Sequence, residues 1–148
     1  MMKFQSALAA LLLVVSLPAL AADFNPVKGS YGTWYGTDNH ALNIDAKGIG
    51  HIAEAPKRCR QKKNGFIHER VDISGKQLLK DIKTSMEYSD DKDISQLEAL
   101  IDPKRTYMRL NGALSCGDGL QSFIYVNDKV SIGMLAAPED FYYILIKR

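Results

Sequence analysis

Cys59 stands in the stretch of this chain best suited to nucleophilic chemistry. It lies within Lys57-Arg58-Cys59-Arg60-Gln61-Lys62-Lys63, where five of seven residues are cations. Neighbouring positive charge favours a thiolate over a thiol, so a free Cys59 would be a nucleophile. A nucleophilic thiol also needs a base, and the histidines His51 and His68 are the candidates for a Cys–His pair. The only other cysteine is Cys116. Two cysteines permit one intramolecular pairing, and a bridge would leave no thiol for catalysis.

The remaining groups that could do chemistry are scattered. His40, His51 and His68 show no two-ligand spacing such as His-x-x-x-His, so zinc is not expected. Asp90, Asp91, Asp93 and Ser95 have some of the spacing of a calcium loop. The position that needs glycine is Gln96, however, and Leu97 to Ile101 is helical in pattern. Helix capping explains these acids better. Ser115 sits in no Gly-x-Ser-x-Gly elbow. Glu54 and Glu69 would qualify as a carboxylate pair only if strands brought them together. No cofactor, metal site or catalytic centre is expected.

The compartment decides between bridge and thiol. Lys3 precedes an almost wholly apolar run from Ala7 to Leu17, Pro18 breaks it, and Ala19-Leu20-Ala21 supplies a small-x-small cleavage pattern. A spanning helix needs about 20 apolar residues, so the run reads as a cleavable leader rather than an anchor. Cleavage is expected after Ala21, with Ala22 as the alternative. Residues 22–148 then form one domain of 148 − 21 = 127 residues, enough for a single core. A short Ala-rich leader suits a bacterial export route, so a periplasmic or secreted location is expected. In that oxidising milieu Cys59 and Cys116 read as a disulfide. The loop it closes, 116 − 59 = 57 residues, corresponds to about 4 kcal/mol of stabilisation on the chain-entropy model.

Whole-chain charge gives little direction. Lys and Arg total 19 against 17 Asp and Glu; losing Lys3 leaves 18 against 17, close to neutral. The basic residues Lys57, Arg58, Arg60, Lys62 and Lys63 are the local exception. They suit an anionic partner, either an acidic protein cleft or an anionic component of the cell envelope such as phosphate or carboxylate groups. They equally suit a solvated loop that guards a sheet edge. Without interleaved aromatics the stretch is a poor match for single-stranded nucleic acid.

The elements that must position these groups fall into three blocks. Tyr31 to Tyr35, Ala41 to Ile44, Ile49 to Ala53 and Phe66 to Ile73 have strand character, with a turn at Asp45 to Gly48. Two helices follow. Ser74 with Gln77 fits a capping box for the first, whose apolar residues are Leu78, Leu79, Ile82 and Met86. Asp93 with Gln96 repeats the capping pattern for the second, with Ile94, Leu97, Leu100 and Ile101 on its apolar stripe and a stop at Asp102-Pro103. Strands resume at Thr106 to Leu110, Leu120 to Val126, Val130 to Leu135 and Phe141 to Ile146. The last is apolar on both faces, which places it centrally or against the helices. The expected fold is α+β: a mainly antiparallel sheet of about seven strands with a central two-helix insertion packed on it.

Gly32-Thr33-Trp34-Tyr35, with its following strand and turn, resembles the opening of lipocalin- and avidin-type ligand-binding barrels. The resemblance covers about twenty residues and implies a Gly-x-Trp plug at one barrel end, with a late cation, Lys147 or Arg148, packed on the Trp. It also implies a small lipocalin-like β-barrel as the alternative fold. The two consecutive helices depart from that pattern, because such barrels keep adding strands there.

The functional expectation is a non-enzymatic exported binding protein, of the inhibitor or immunity type, that meets another macromolecule. Lys57, Arg58, Arg60, Lys62, Lys63, Trp34 and Tyr35 are its candidate contacts, because Trp, Tyr and Arg dominate interface energetics. A carrier of a small apolar ligand is the second expectation, and a hydrolase using Cys59 or paired carboxylates the third.

Overall fold

The computed structural model describes residues 25–36, 41–46, 48–52, 68–87, 89–113, 120–136 and 140–148. Residues 1–24, which contain the expected leader, lie outside the described residues, as do Cys59, Cys116 and the basic stretch 57–63.

Eight strands form one antiparallel sheet: β1 (Gly32–Tyr35), β2 (Ala41–Asp45), β3 (Gly48–Ile52), β4 (His68–Ser74), β5 (Thr106–Ala113), β6 (Leu120–Tyr125), β7 (Val130–Ala136) and β8 (Asp140–Lys147). Helices α1 (Gly75–Ser85) and α2 (Asp91–Glu98) separate β4 from β5. The fold is therefore α+β, a mainly antiparallel sheet of eight strands where about seven were expected, with the two expected helices. The strand order is β3-β2-β1-β8-β7-β6-β5-β4. Chain neighbours pair except β3 and β4, which form the two edges of the sheet, and β1 also pairs with β8, Trp34 opposite Lys147. That long-range pairing curls the sheet into a half-barrel. The helices do not interrupt it, because they occupy one connection and leave the strand sequence intact.

Local chemistry explains the helices. Ser74 is the N-cap of α1, its hydroxyl accepting from the Gln77 amide at 3.2 Å. Gln77 spends its own side chain on Asp81, at 2.7 Å, so one arm of the expected capping box is seen. For α2 the cap is Asp90 rather than Asp93. The Asp90 carboxylate accepts from the Lys92 amide at 3.0 Å, and its carbonyl takes the amides of Asp93 and Ile94. An acid one turn earlier reaches the orphan amides first, and Asp93 falls inside the first turn.

The alternation of each strand serves two separate cores. Ile73, Tyr107, Ile124, Ile132, Met134 and Tyr142 pack with Leu78, Ile82, Met86 and Leu97 of the helices. Trp34, Leu42, Ile44, Ile49, Met108, Leu110, Phe123 and Leu145 form the second core. Residues i and i+1, such as Leu110 and its neighbour Arg109, point to opposite faces, so the second core is the concave interior of the curl. Strand β8 feeds both cores, and it is central, as its two apolar faces require.

Candidate functional site

Strand directions divide the half-barrel into two ends. At one end lie the starts of β1, β3, β5 and β7 and the finishes of β2, β4, β6 and β8. This end is closed. Trp34 is fully buried there, its Nε1 donating to the Ser30 carbonyl at 2.7 Å. Phe123 and Tyr125 meet the indole at centroid distances of 5.2 and 6.3 Å. The Lys147 ammonium stands 5.2 Å from the indole centroid and donates to the Gly29 carbonyl at 3.0 Å. Gly32 adopts φ +111°, and a Cβ there would press on Lys147 Cε at 3.3 Å; both facts favour the glycine of the Gly-x-Trp pattern.

The segment from Asn25 to Ser30 is tied across this end. Its Asn25 carbonyl accepts from Arg70 on β4 at 2.8 Å. The Val27 amide points at Met108 Sδ on β5 at 3.1 Å. A short 3₁₀ turn, Lys28–Ser30, then leads into β1. On the β6–β7 turn Tyr125 donates its hydroxyl to Asp128, and burial followed by that carboxylate pushes the Tyr125 phenol up to about 12.

The other end is a rim formed where β1, β3, β5 and β7 finish and β2, β4, β6 and β8 begin. On the interior side towards this rim the aliphatic lining gives way to a polar handle. Gln121, only 1% exposed, donates from Nε2 to the Met134 carbonyl at 3.0 Å and to the Tyr143 hydroxyl at 2.8 Å. The Tyr143 ring lies over Gly133, where a Cβ would come within 2.4 Å of it. Burial pushes the Tyr143 phenol up to about 12, against the smaller lowering effect of the Gln121 hydrogen bond. Phe141 stacks on Tyr143 with centroids 6.2 Å apart and 19° between planes, yet remains 53% exposed.

A second polar row crosses the outer face. Asn111 gives Nδ2 to Glu69 at 2.9 Å and receives Arg109 Nε and Ser122 Oγ at its Oδ1, at 2.9 and 2.6 Å. Glu69 thus faces an amide across the strands, while Glu54 lies outside the described residues. The row is a satisfied network in which each buried polar group has its partner.

The expected site residues separate on this scaffold. Trp34 is an interior group at the closed end. Its neighbour Tyr35 lies on the outer face, 37% exposed, opposite Ile146 and with the Arg148 guanidinium 5.0 Å from its ring. So Lys147 attends Trp34 and Arg148 attends Tyr35. Lys57, Arg58, Arg60, Lys62 and Lys63 lie outside the described residues, but their connection leaves β3 after Ile52 and enters β4 at His68, both at the rim. Cys116 belongs to the β5–β6 connection, which starts and ends at the same rim. His51 and His68 fall in β3 and β4, and His40 lies outside the described residues.

Gln121 and Gly133 escaped the sequence reading. A glycine inside the Val130–Ala136 strand was the available signal, since it marks a close approach from a neighbour. No helix among the described residues is long and apolar enough to cross a membrane, and they contain no group of three metal-ligating side chains. Comparison with protein-family models, curated proteins and solved structures finds no match.

Proposed function

We propose that this chain is an exported, non-enzymatic binding protein of the inhibitor or immunity type, which engages a macromolecular partner at the rim of the half-barrel. One observation carries the reading. The end with Trp34, Lys147 and the Asn25 to Ser30 segment is closed, whereas the opposite end receives the connection that carries five cations. Loops mounted on a rigid sheet are the usual place for recognition. Positive charge there would steer an acidic partner and make capture sensitive to salt.

The test uses the mature chain, residues 22–148, as bait in periplasmic extract. Combined Lys57→Glu, Arg58→Glu, Lys62→Glu and Lys63→Glu substitutions should abolish capture of the partner and flatten its salt dependence. Unchanged capture would remove the basic connection from the reading.

A second reading, a carrier of a small apolar ligand, draws on a separate observation. The interior pairs an aromatic wall with one buried amide, Gln121, a composition common in small-molecule sites. Native mass spectrometry separates the two readings. A bound lipid or pigment favours the carrier, and a stoichiometric protein partner on an otherwise empty chain favours the inhibitor.

A further inference from the structure

A cleft of about 140 Å³ opens between the helical hairpin and the first half of β8, on the helix-bearing side of the sheet. Its inner lining is Met86, Leu97 and Tyr142, each 2% exposed, with the half-buried Tyr143 and Ile144. Its outer lining is exposed: Phe141, Asp93 and Gln96. Lys83 of α1 and Glu98 of α2 pair across the hairpin at 3.4 Å.

We propose that this cleft binds a small aromatic cation, one ring carrying a protonated amine. Three properties converge on that class. The volume matches a single ring, since an apolar cavity of about 150 Å³ elsewhere accommodates benzene. The inner surface offers a thioether and two aliphatic side chains, and sulfur packs favourably against an aromatic edge. The outer surface is negative. Asp90, Asp91 and Asp93 cluster at the start of α2, and the Asp90 carboxylate is already engaged by the Lys92 amide. Asp93 makes no side-chain hydrogen bond or ion pair among the described residues, and it borders the cleft. An ammonium beside it would also lie near the exposed face of Phe141, which attracts cations. A neutral ring would forgo both attractions, and an anionic one would be repelled.

The probe is phenethylamine, titrated into the mature chain near neutral pH and followed by amide chemical shifts. The expected result is saturable shifts at Met86, Asp93, Leu97, Phe141 and Ile144, with a dissociation constant on the order of 1 mM. Asp93→Asn, on an exposed position, should weaken binding about fivefold without changing the circular dichroism. Phenethyl alcohol, the same ring without the charge, should weaken similarly in the unmodified chain. Shifts that fail to saturate, that centre elsewhere, or that are equal for amine and alcohol would overturn the proposal.

Discussion

The Lys147 ammonium and the Trp34 indole meet 5.2 Å apart at the closed end of the sheet, and both are anchored to the chain just before β1, through the carbonyls of Gly29 and Ser30. A residue at the chain's end and one at the start of the sheet thereby hold the β1–β8 seam, which has only two registered pairs. The seam is short, so these side chains matter to it more than its backbone ladder does.

Lys147→Met keeps the stem but removes the cation and one hydrogen bond, and should cost about 1 kcal/mol. Trp34→Phe should cost about 2 kcal/mol, because it shrinks a fully buried group and orphans the Ser30 carbonyl. Urea unfolding of residues 22–148 measures both. Because the two residues touch, the double variant should lose less than the sum.

Gly133 and Tyr143 should behave as a coupled pair. Gly133→Ala places a methyl within 2.4 Å of the ring as it now stands, and the forced shift should cost about 1–3 kcal/mol. In a Tyr143→Ala background the same change should cost little. A double-mutant cycle that returned additive costs would refute the steric account.

Alkali should unfold the protein through its tyrosines. Burial is the first cause that raises the phenols of Tyr125, Tyr142 and Tyr143 to about 12 from the ordinary 10. Asp128 adds to it at Tyr125; at Tyr142, Arg109 opposes it while Asp81 and Asp140 reinforce it. A phenol raised in the folded state keeps its proton where the unfolded chain has lost it. The stabilising contribution is thus complete below pH 10 and declines between pH 10 and 12. Spectrophotometric titration should show Tyr125, Tyr142 and Tyr143 losing their protons late, and a single transition at the ordinary value would contradict this.

Joining Cys59 to Cys116 would link two connections of one rim and bind the β3–β4 gap to the β5–β6 side. If the bridge forms under oxidising conditions, replacing both by Ser should lower stability by about 4 kcal/mol. Non-reducing electrophoresis should show a faster band for the parent. Full alkylation of both thiols in the folded, exported parent would exclude the bridge.

Strand and helix segments were legible in the sequence because their signals are local. Alternation marked Phe66 to Ile73, β-prone or apolar composition between turns marked the other strands, and Ser74 marked the start of α1 through a bond to an amide three residues on. Gly32 and Trp34, with a late cation that was either Lys147 or Arg148, came from the resemblance to the opening of ligand-binding barrels, and the structure seats Lys147 on the indole. The cap of α2 was misassigned to Asp93 because several acids in a row offer the same local pattern, and only backbone geometry selects Asp90.

Tertiary structure alone decided the rest. Spacing cannot reveal that β1 lies beside β8, because that pairing depends on burying Trp34 against Phe123 and Leu145 from distant segments. Nor could alternation say that Trp34 faces inward while Tyr35 faces water, since a two-residue period defines two faces but not which one becomes the interior. Gln121, Gly133 and Tyr143 belong to three different strands, and only the stacking of those strands makes them one group. Local rules act over a few residues, and a sheet's curvature is the sum of contacts made across the whole chain.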